Sequence, residues 1–597
     1  MFPRKFSKFN LINAMALAVL ATTALPGKAA RADIVMENFD YISPNEPTAW
    51  DNTTRIEIGS VNGESASVIL NNAEGITTVD SYITVLGEKA YSTGRLTVTG
   101  SGAVWNASTL NVGLSTASKG FLDIRGGGTV TAKSLYIGTM VGSSRNDGST
   151  GIVTLADGST LSSNYTRIGG LNGTGTLNIL SGSMFNSTRE VQIGGASERS
   201  KGFVTVDGAT WNCDGNIHMA YLYSSTGELN ILNGGIVNAG KNEVNVGFYG
   251  SAALNITGGS TLISGSGELG VVTETAFGTA LIDGDGSNWT LNGRLELHRG
   301  SLTVSDGGLL AAKQIGGTIS TIGDASMHFN GGTIKALDSS SGFIVGNFKA
   351  LTLTAPPDND GRPALTMQVD SGISVGVSQI FTGNGGITKT GEGTMALRGD
   401  QAYTGHTDIK AGTLTGKASF NGDLTIRDGA TYTVGNTSGA TADLTWTAHI
   451  AGDYTQESLA RLMMDIGRWG SDKLVVEGNV SLGGVLELGF NGWVDADYYV
   501  LIENLGGHAV NGAFSDMFFG GELVTLTPWD EVRGGYTFEA DDVTYFLSYT
   551  GQASSGLLYG GHDVILSTIG GGAPVPEPAS LSLLGLGAAA LIARRRK

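Results

Sequence analysis

The chain has 597 residues, of which 93 are Gly, 11 Pro and one Cys, and it carries a formal net charge of -18 with only 15% charged residues. Glycine at this level without a Gly-X-Y period excludes collagen, and 40% hydrophobic content excludes general disorder. Lone Cys213 cannot staple the chain internally, and an acidic surface is repelled by nucleic acid and by anionic membrane, so neither is expected as a partner.

At the start, Arg4, Lys5 and Lys8 form a positive segment, Leu11 to Leu25 an apolar one, and Ala30-Arg31-Ala32 meets the small-x-small rule of signal peptidase. Ala30 and Ala32 are the expected cleavage determinants, and residues 1–32 the expected signal peptide of an exported chain. Residues 33–90 are less regular and are expected to form an N-terminal cap over the open edge of the repeat that follows.

Residues 91–440 repeat. Leu96, Leu122, Val153, Leu177, Val204, Leu229, Leu254, Ala280 and Leu302 each open an alternating triplet such as Leu96-Thr97-Val98, with starts about 25 residues apart. A second strand follows and usually closes on Gly, as in Leu110-Asn111-Val112-Gly113, Leu135-Tyr136-Ile137-Gly138, Val191-Gln192-Ile193-Gly194 and Val244-Asn245-Val246-Gly247. Alternation buries one face of a strand and wets the other. Two or three strands in about 25 residues make one coil of a β-solenoid. Asp157-Gly158, Asn233-Gly234 and Asp306-Gly307 read as sharp corners, with Asp in turn positions. Between the two strands recur Trp105, Phe185, Trp211, Val237 and Trp289, four of them followed by Asn (Asn106, Asn186, Asn212, Asn238). Stacked coils would align them as an apolar core column beside an Asn ladder; an aromatic stripe for sugars is the rival reading.

These units resemble the repeat shared by type V secretion passengers and PEP-CTERM proteins. Gly385-Gly386-Ile387-Thr388-Lys389-Thr390-Gly391-Glu392-Gly393-Thr394-Met395-Ala396-Leu397, continuing through Tyr403-Thr404-Gly405 to Ala411-Gly412-Thr413-Leu414, resembles the autotransporter-associated β-strand repeat, departing at Met395 and at Asp400-Gln401-Ala402. The resemblance implies an all-β chain folded as a right-handed parallel β-helix. Residues 441–570 resemble the distal passenger of the same families; Leu459, Leu462, Met463 and Ile466 have helical spacing, yet Leu462, Met464 and Ile466 also alternate, and the context favours a strand. In 571–597, Pro576-Glu577-Pro578 precedes an apolar run, Ala579 to Ala593, and then Arg594, Arg595, Arg596 and Lys597. About fifteen helical residues reach only about 22 Å, short of a hydrocarbon core of roughly 30 Å, which suits a temporary handle. The basic cluster acts as a cytoplasmic stop. This order of parts resembles the PEP-CTERM sorting signal, which implies a C-terminal sorting helix, an inner-membrane intermediate, and processing by an exosortase near Pro576, Glu577 and Pro578.

No catalytic pattern emerges. The seven histidines lack metal-ligand spacing, no Gly-x-Ser-x-Gly elbow occurs, and Asp283-Gly284-Asp285-Gly286-Ser287-Asn288 has Arg294 where a calcium loop needs a bidentate Glu. Glu190, Glu243, Glu268 and Glu296 precede or lie in second strands and could form an acidic column without a partner base. A true autotransporter would need an outer-membrane barrel in place of the Arg cluster. The expectation is a non-enzymatic, cofactor-free, metal-free adhesin-like solenoid of the cell envelope, outer surface or extracellular matrix. Its expected partners are signal peptidase, exosortase, and exopolysaccharide or cell-surface glycans. A polysaccharide lyase or glycoside hydrolase on a β-helix is the alternative.

Overall fold

The computed structural model describes residues 33–38, 42–43, 50–71, 77–139, 148–195, 199–271, 275–317, 324–357, 362–435, 445–468, 470–490, 496–540 and 542–568. Among them every regular element is a β-strand, and the coils pair in parallel as a β-solenoid. The signal peptide and the sorting helix lie outside the described residues. The chain divides into two compact units, residues 1–302 with 322–325, and residues 303–321 with 326–597.

In the first unit each coil contributes three strand faces. The first face runs through Thr93–Thr99, Lys119–Arg125, Thr150–Leu155, Thr174–Leu180, Lys201–Asp207, Thr226–Leu232, Ser251–Thr257 and Phe277–Asp283. Their pairing puts Leu96, Leu122, Val153, Leu177, Val204, Leu229, Leu254 and Ala280 in one register column, so the triplet starts read from sequence are structurally equivalent positions. The second and third faces form one continuous strand in the early coils (Ala103–Val112, Thr129–Thr139, Thr160–Gly170). Later they split, as in Met184–Ser187 with Val191–Ile193 and Thr210–Cys213 with Ile217–Met219. At the outer edge, Asp33–Glu37 runs antiparallel to Ser65–Asn71 and occupies backbone groups that would otherwise template another chain.

Glycine has a specific task here. Gly113 ends the third face of its coil at φ 77°, and a Cβ on it would stand 2.2 Å from the Thr150 carbonyl oxygen. Gly120, second in the next first-face strand, would drive a Cβ to 2.1 Å from the Gly113 nitrogen. Backbones therefore touch at this corner, and side chains are excluded on both partners. The Asp157-Gly158, Asn233-Gly234 and Asp306-Gly307 pairs all sit at positive φ, the geometry of sharp corners.

The bulky column faces inward. Val79, Trp105 and Val130 are register neighbours, as are Leu161, Phe185, Trp211, Val237, Leu262 and Trp289, and Trp105, Phe185, Trp211, Val237 and Trp289 are all fully buried. Each indole N–H donates to a hydroxyl of the preceding coil: Trp105 to Thr84 (3.1 Å), Trp211 to Ser187 (3.0 Å) and Trp289 to Ser264 (3.0 Å). A buried indole without such an acceptor would be costly, so Ser and Thr stand in the core beside it. The Asn ladder exists in short pieces, Asn212 donating to Asn186 at 3.0 Å and Asn106 to Asp80 at 3.0 Å.

In the second unit, Leu365–Val369, Ile387–Thr390, Thr407–Ile409, Leu424–Ile426, Tyr454–Gln456 and Val480–Leu482 continue parallel pairing on one face, with Ser374–Val377 to Val485–Phe490 on the next. Arg461–Ile466 is a strand that buries Leu462, Met464 and Ile466, in accord with the alternation. A six-stranded sheet starts in parallel at Thr447–Ile450, Lys473–Val476 and Tyr498–Asn504. It ends in antiparallel Asp563–Thr568, Val543–Gly551 and Gly535–Ala540.

Candidate functional site

The sorting residues Pro576, Glu577 and Pro578, the Arg594, Arg595, Arg596 and Lys597 cluster, and the cleavage residues Ala30 and Ala32 lie outside the described residues. The glutamates do not, and the structure brings them onto one surface. On the third face of the first unit, the strand cores are apolar pairs such as Val191 with Ile193, Ile217 with Met219 and Val244 with Val246, all fully buried. The residue between each pair must then point away from the core. Register aligns these middle residues as Asn111, Tyr136, Arg167, Gln192, His218, Asn245, Glu268 and Glu296. Glu190 and Glu243 stand two residues before Gln192 and Asn245 and form a second, shorter row, with Arg294 two residues before Glu296.

Hydrogen bonds run along this column. Arg167 donates from Nε to the Gln192 Oε1 (2.9 Å) and from Nη2 to the Tyr165 hydroxyl (2.6 Å), and Gln192 donates from Nε2 to Glu190 Oε1 (2.6 Å). Asn245 Nδ2 lies 3.0 Å from His218 Nδ1. Burial, together with the neighbouring Glu243 carboxylate, raises the Glu268 carboxyl to about 7. At the far end Arg294 pairs with Glu296 at 3.1 Å. Burial holds the His218 and His298 pKa values below the ordinary range, against the pull of nearby carboxylates.

An aromatic strip borders the column. Tyr221 and Phe248 stack at 5.5 Å with 5° between planes, and each ring packs on His218, at 5.5 and 4.9 Å. Phe248 continues onto Tyr249 (5.0 Å) and Tyr249 onto Tyr223 (5.3 Å), whose ring is half exposed. These aromatics follow the corner residue of their coils, Ala220 at φ 54° and Gly247 at φ 77°, so a tight turn aims them back over the face.

Of the acidic column expected from the sequence, Glu268 and Glu296 are register neighbours, while Glu243 and Glu190 stand in the row beside them, two coils apart. Its expected lack of a basic neighbour is corrected: His218 stands in the column and Arg294 pairs with Glu296 from the row beside it. Among the described residues no group of His, Cys, Asp and Glu converges to hold a metal ion. Reading the glutamates alone missed His218, Asn245, Tyr221 and Phe248. The signal was present in the polar middle residue of every Val-x-Val-Gly or Ile-x-Met-Ala strand.

A family model described as PEP-CTERM protein-sorting motif matches residues 574–597, and one described as passenger-associated-transport-repeat matches residues 387–415. The chain carries a PEP-CTERM sorting motif. The passenger repeat falls on the segment that resembles the autotransporter-associated β-strand repeat. The chain is 25% identical over 269 residues to the adhesin BmaC autotransporter of Brucella suis biovar 1 (strain 1330), a match covering 36% of this chain and 7% of that protein. The chain therefore spans a small part of its relative's length. A hyper-glycosylated TibA fragment, produced with TibC, aligns over 66% of this chain and 97% of its own at 14% identity, with a TM-score of 0.18 that carries no functional weight.

Proposed function

We propose that the protein is a non-enzymatic surface adhesin of the cell envelope or extracellular matrix, sorted by an exosortase at Pro576-Glu577-Pro578 and making repeated weak contacts with exopolysaccharide or cell-surface glycans. The observation that carries this reading is the conjunction of a sorting motif at 574–597 with a passenger-type parallel solenoid. A sorting motif supplies an address and no chemistry. The solenoid supplies a repetitive hydroxyl- and amide-rich surface, on which many weak contacts add through effective concentration. In this reading residues 1–32 are removed by signal peptidase, 33–90 cap the repeat, 91–440 and 441–570 form the displayed body, and the helix of 571–597 is a transient inner-membrane handle.

The test is delivery. Alanine at Pro576, Glu577 and Pro578 should leave an unprocessed chain in the inner membrane, measured by intact mass and fractionation. Normal mass and normal surface delivery of that variant would defeat the sorting reading. The native mature chain should co-sediment with the host exopolysaccharide without shortening it; depolymerisation would move the assignment to the lyase or hydrolase alternative.

A further inference from the structure

The middle of the third-face column is unbalanced in charge and in hydrogen bonding. Toward one end Arg167 is engaged by Gln192 and Tyr165, and at the other Arg294 is engaged by Glu296. Between them Glu190, Glu243 and Glu268 have no Lys or Arg ion pair among the described residues. The neighbouring His218 is kept neutral by burial. Asn245 sits at the centre, 1% exposed, and its Oδ1 accepts no hydrogen bond. Its Nδ2 lies against the His218 ring of the preceding coil, and Glu268 is its register neighbour in the following one. A buried carbonyl oxygen left without a donor costs roughly 1–3 kcal/mol, and a donor brought by a ligand removes that cost.

The missing group has a definite chemistry. Carboxylates and an orphan carbonyl call for a cation that is also a hydrogen-bond donor. Among the described residues no three His, Cys, Asp or Glu side chains converge to hold a metal ion, and a primary ammonium needs only two or three acceptors and gains from aromatic faces. Tyr221 and Phe248, stacked beside His218, and the half-exposed ring of Tyr223 provide such faces and also suit a flat ring. Adjacent coils lie about 4.8 Å apart, close to the length of one pyranose residue in an extended polymer. Successive sugars would thus meet successive coils.

We propose that this face binds an amino-sugar polymer through its free ammonium groups, held by Glu243, Glu268 and Asn245 Oδ1 and stacked on the Tyr221–Phe248 strip. This rests on the glycan-contact reading above and names its ligand class. The experiment uses the full mature chain and three probes at pH 7: a glucosamine hexamer, its fully N-acetylated counterpart, and a trilysine peptide. Calorimetry or ligand-observed NMR should find the glucosamine hexamer bound at least tenfold tighter than either of the others. The Glu243→Gln/Glu268→Gln double variant should lose at least tenfold for that hexamer, and Tyr221→Ala should weaken it further. Circular dichroism and hydrogen exchange should verify that both variants fold. Equal binding of the N-acetylated hexamer or of trilysine overturns the proposal, as does unchanged affinity in the folded double variant. Failure to bind any probe while host exopolysaccharide still co-sediments overturns the amino-sugar assignment alone; loss of both overturns the glycan-contact reading with it.

Discussion

The two units differ in the side chains that join one coil to the next. In the first, like stacks on like: Leu96, Leu122 and Val153 on one face and Phe185 and Trp211 on another fill equivalent positions, and Thr84, Ser187 and Ser264 each receive an indole N–H in the core. In the second, polar side chains stitch one coil to the next. Lys389 is fully buried and donates from Nζ to the carbonyl oxygens of Ala411 (2.9 Å), Thr390 (3.3 Å) and Gly391. Gln456 donates to the Ala460 and Val485 carbonyls, and Arg427 bridges Asp408 at 2.7 Å to Glu457 at 2.8 Å. Where coils have equal length, side chains align and packing suffices. Where Ile387, Thr407, Leu424 and Tyr454 align across unequal coil lengths, long polar side chains reach backbone that a short apolar residue could not.

The largest expected effect tests the first mode. Trp211→Ala removes a buried indole packed on Phe185 at 5.5 Å and leaves the Ser187 hydroxyl without its donor. The cost should be about 3–5 kcal/mol, and because a solenoid is a chain of neighbouring interfaces it should stay local. Hydrogen exchange should rise within one or two coils of Trp211 and stay unchanged around Lys389. Protection lost equally in both regions would mean that the units open together.

Lys389→Met tests the second mode and should cost less. The substitution strips the ammonium from three carbonyl oxygens, at about 1–3 kcal/mol near neutral pH, partly offset by no longer burying a charge. Burial lowers the Lys389 pKa to about 8 from 10.5. Between those values the unfolded chain holds a proton that the folded chain has released, so wild-type stability rises with pH across this window. The urea midpoint gap between wild type and Lys389→Met should therefore widen from pH 7 to pH 9.5. A gap that narrows would show that the buried amine keeps its proton.

The contrast also explains what was legible in the sequence. The triplet starts and the bulky column could be read because equal coils repeat the same apolar residue at the same offset, and burial is the cause of that repetition. Leu462, Met464 and Ile466 could be read as a strand from their alternation, although Leu459, Leu462, Met463 and Ile466 also have helical spacing. Lys389 stands in a motif recognisable by resemblance, yet its burial could not be foreseen, since its acceptors are backbone carbonyls, those of Thr390 and Gly391 beside it and that of Ala411 in the next coil. The glutamates were visible as a set, but the neutral His218 and the orphaned Asn245 oxygen were not. His218 is covered by the rings of Tyr221 and Phe248, and that depends on the turn geometry at Ala220 and Gly247.

The smallest effect lies on the third face and separates charge from packing. Glu268 faces Glu243 and Glu296 from adjoining coils, with His218, Arg294 and His298 the other ionisable groups nearby. Its carboxyl is raised from 4.5 to about 7, chiefly by burial. Between these values the folded chain retains a proton that the unfolded chain has lost, so this group lowers stability as pH climbs through the window and adds nothing further above it. Glu268→Gln keeps the shape and the hydrogen-bonding capacity but cannot ionise. Its melting temperature should match wild type at pH 4.5 and exceed it at pH 8, by an amount kept small because the side chain is half exposed and water screens the repulsion. The same offset at both pH values would mean that the gain came from packing. An offset that reverses sign would mean that the ionised carboxylate is the stabilising form, as it would be if the ammonium of a retained amino sugar already occupied the face.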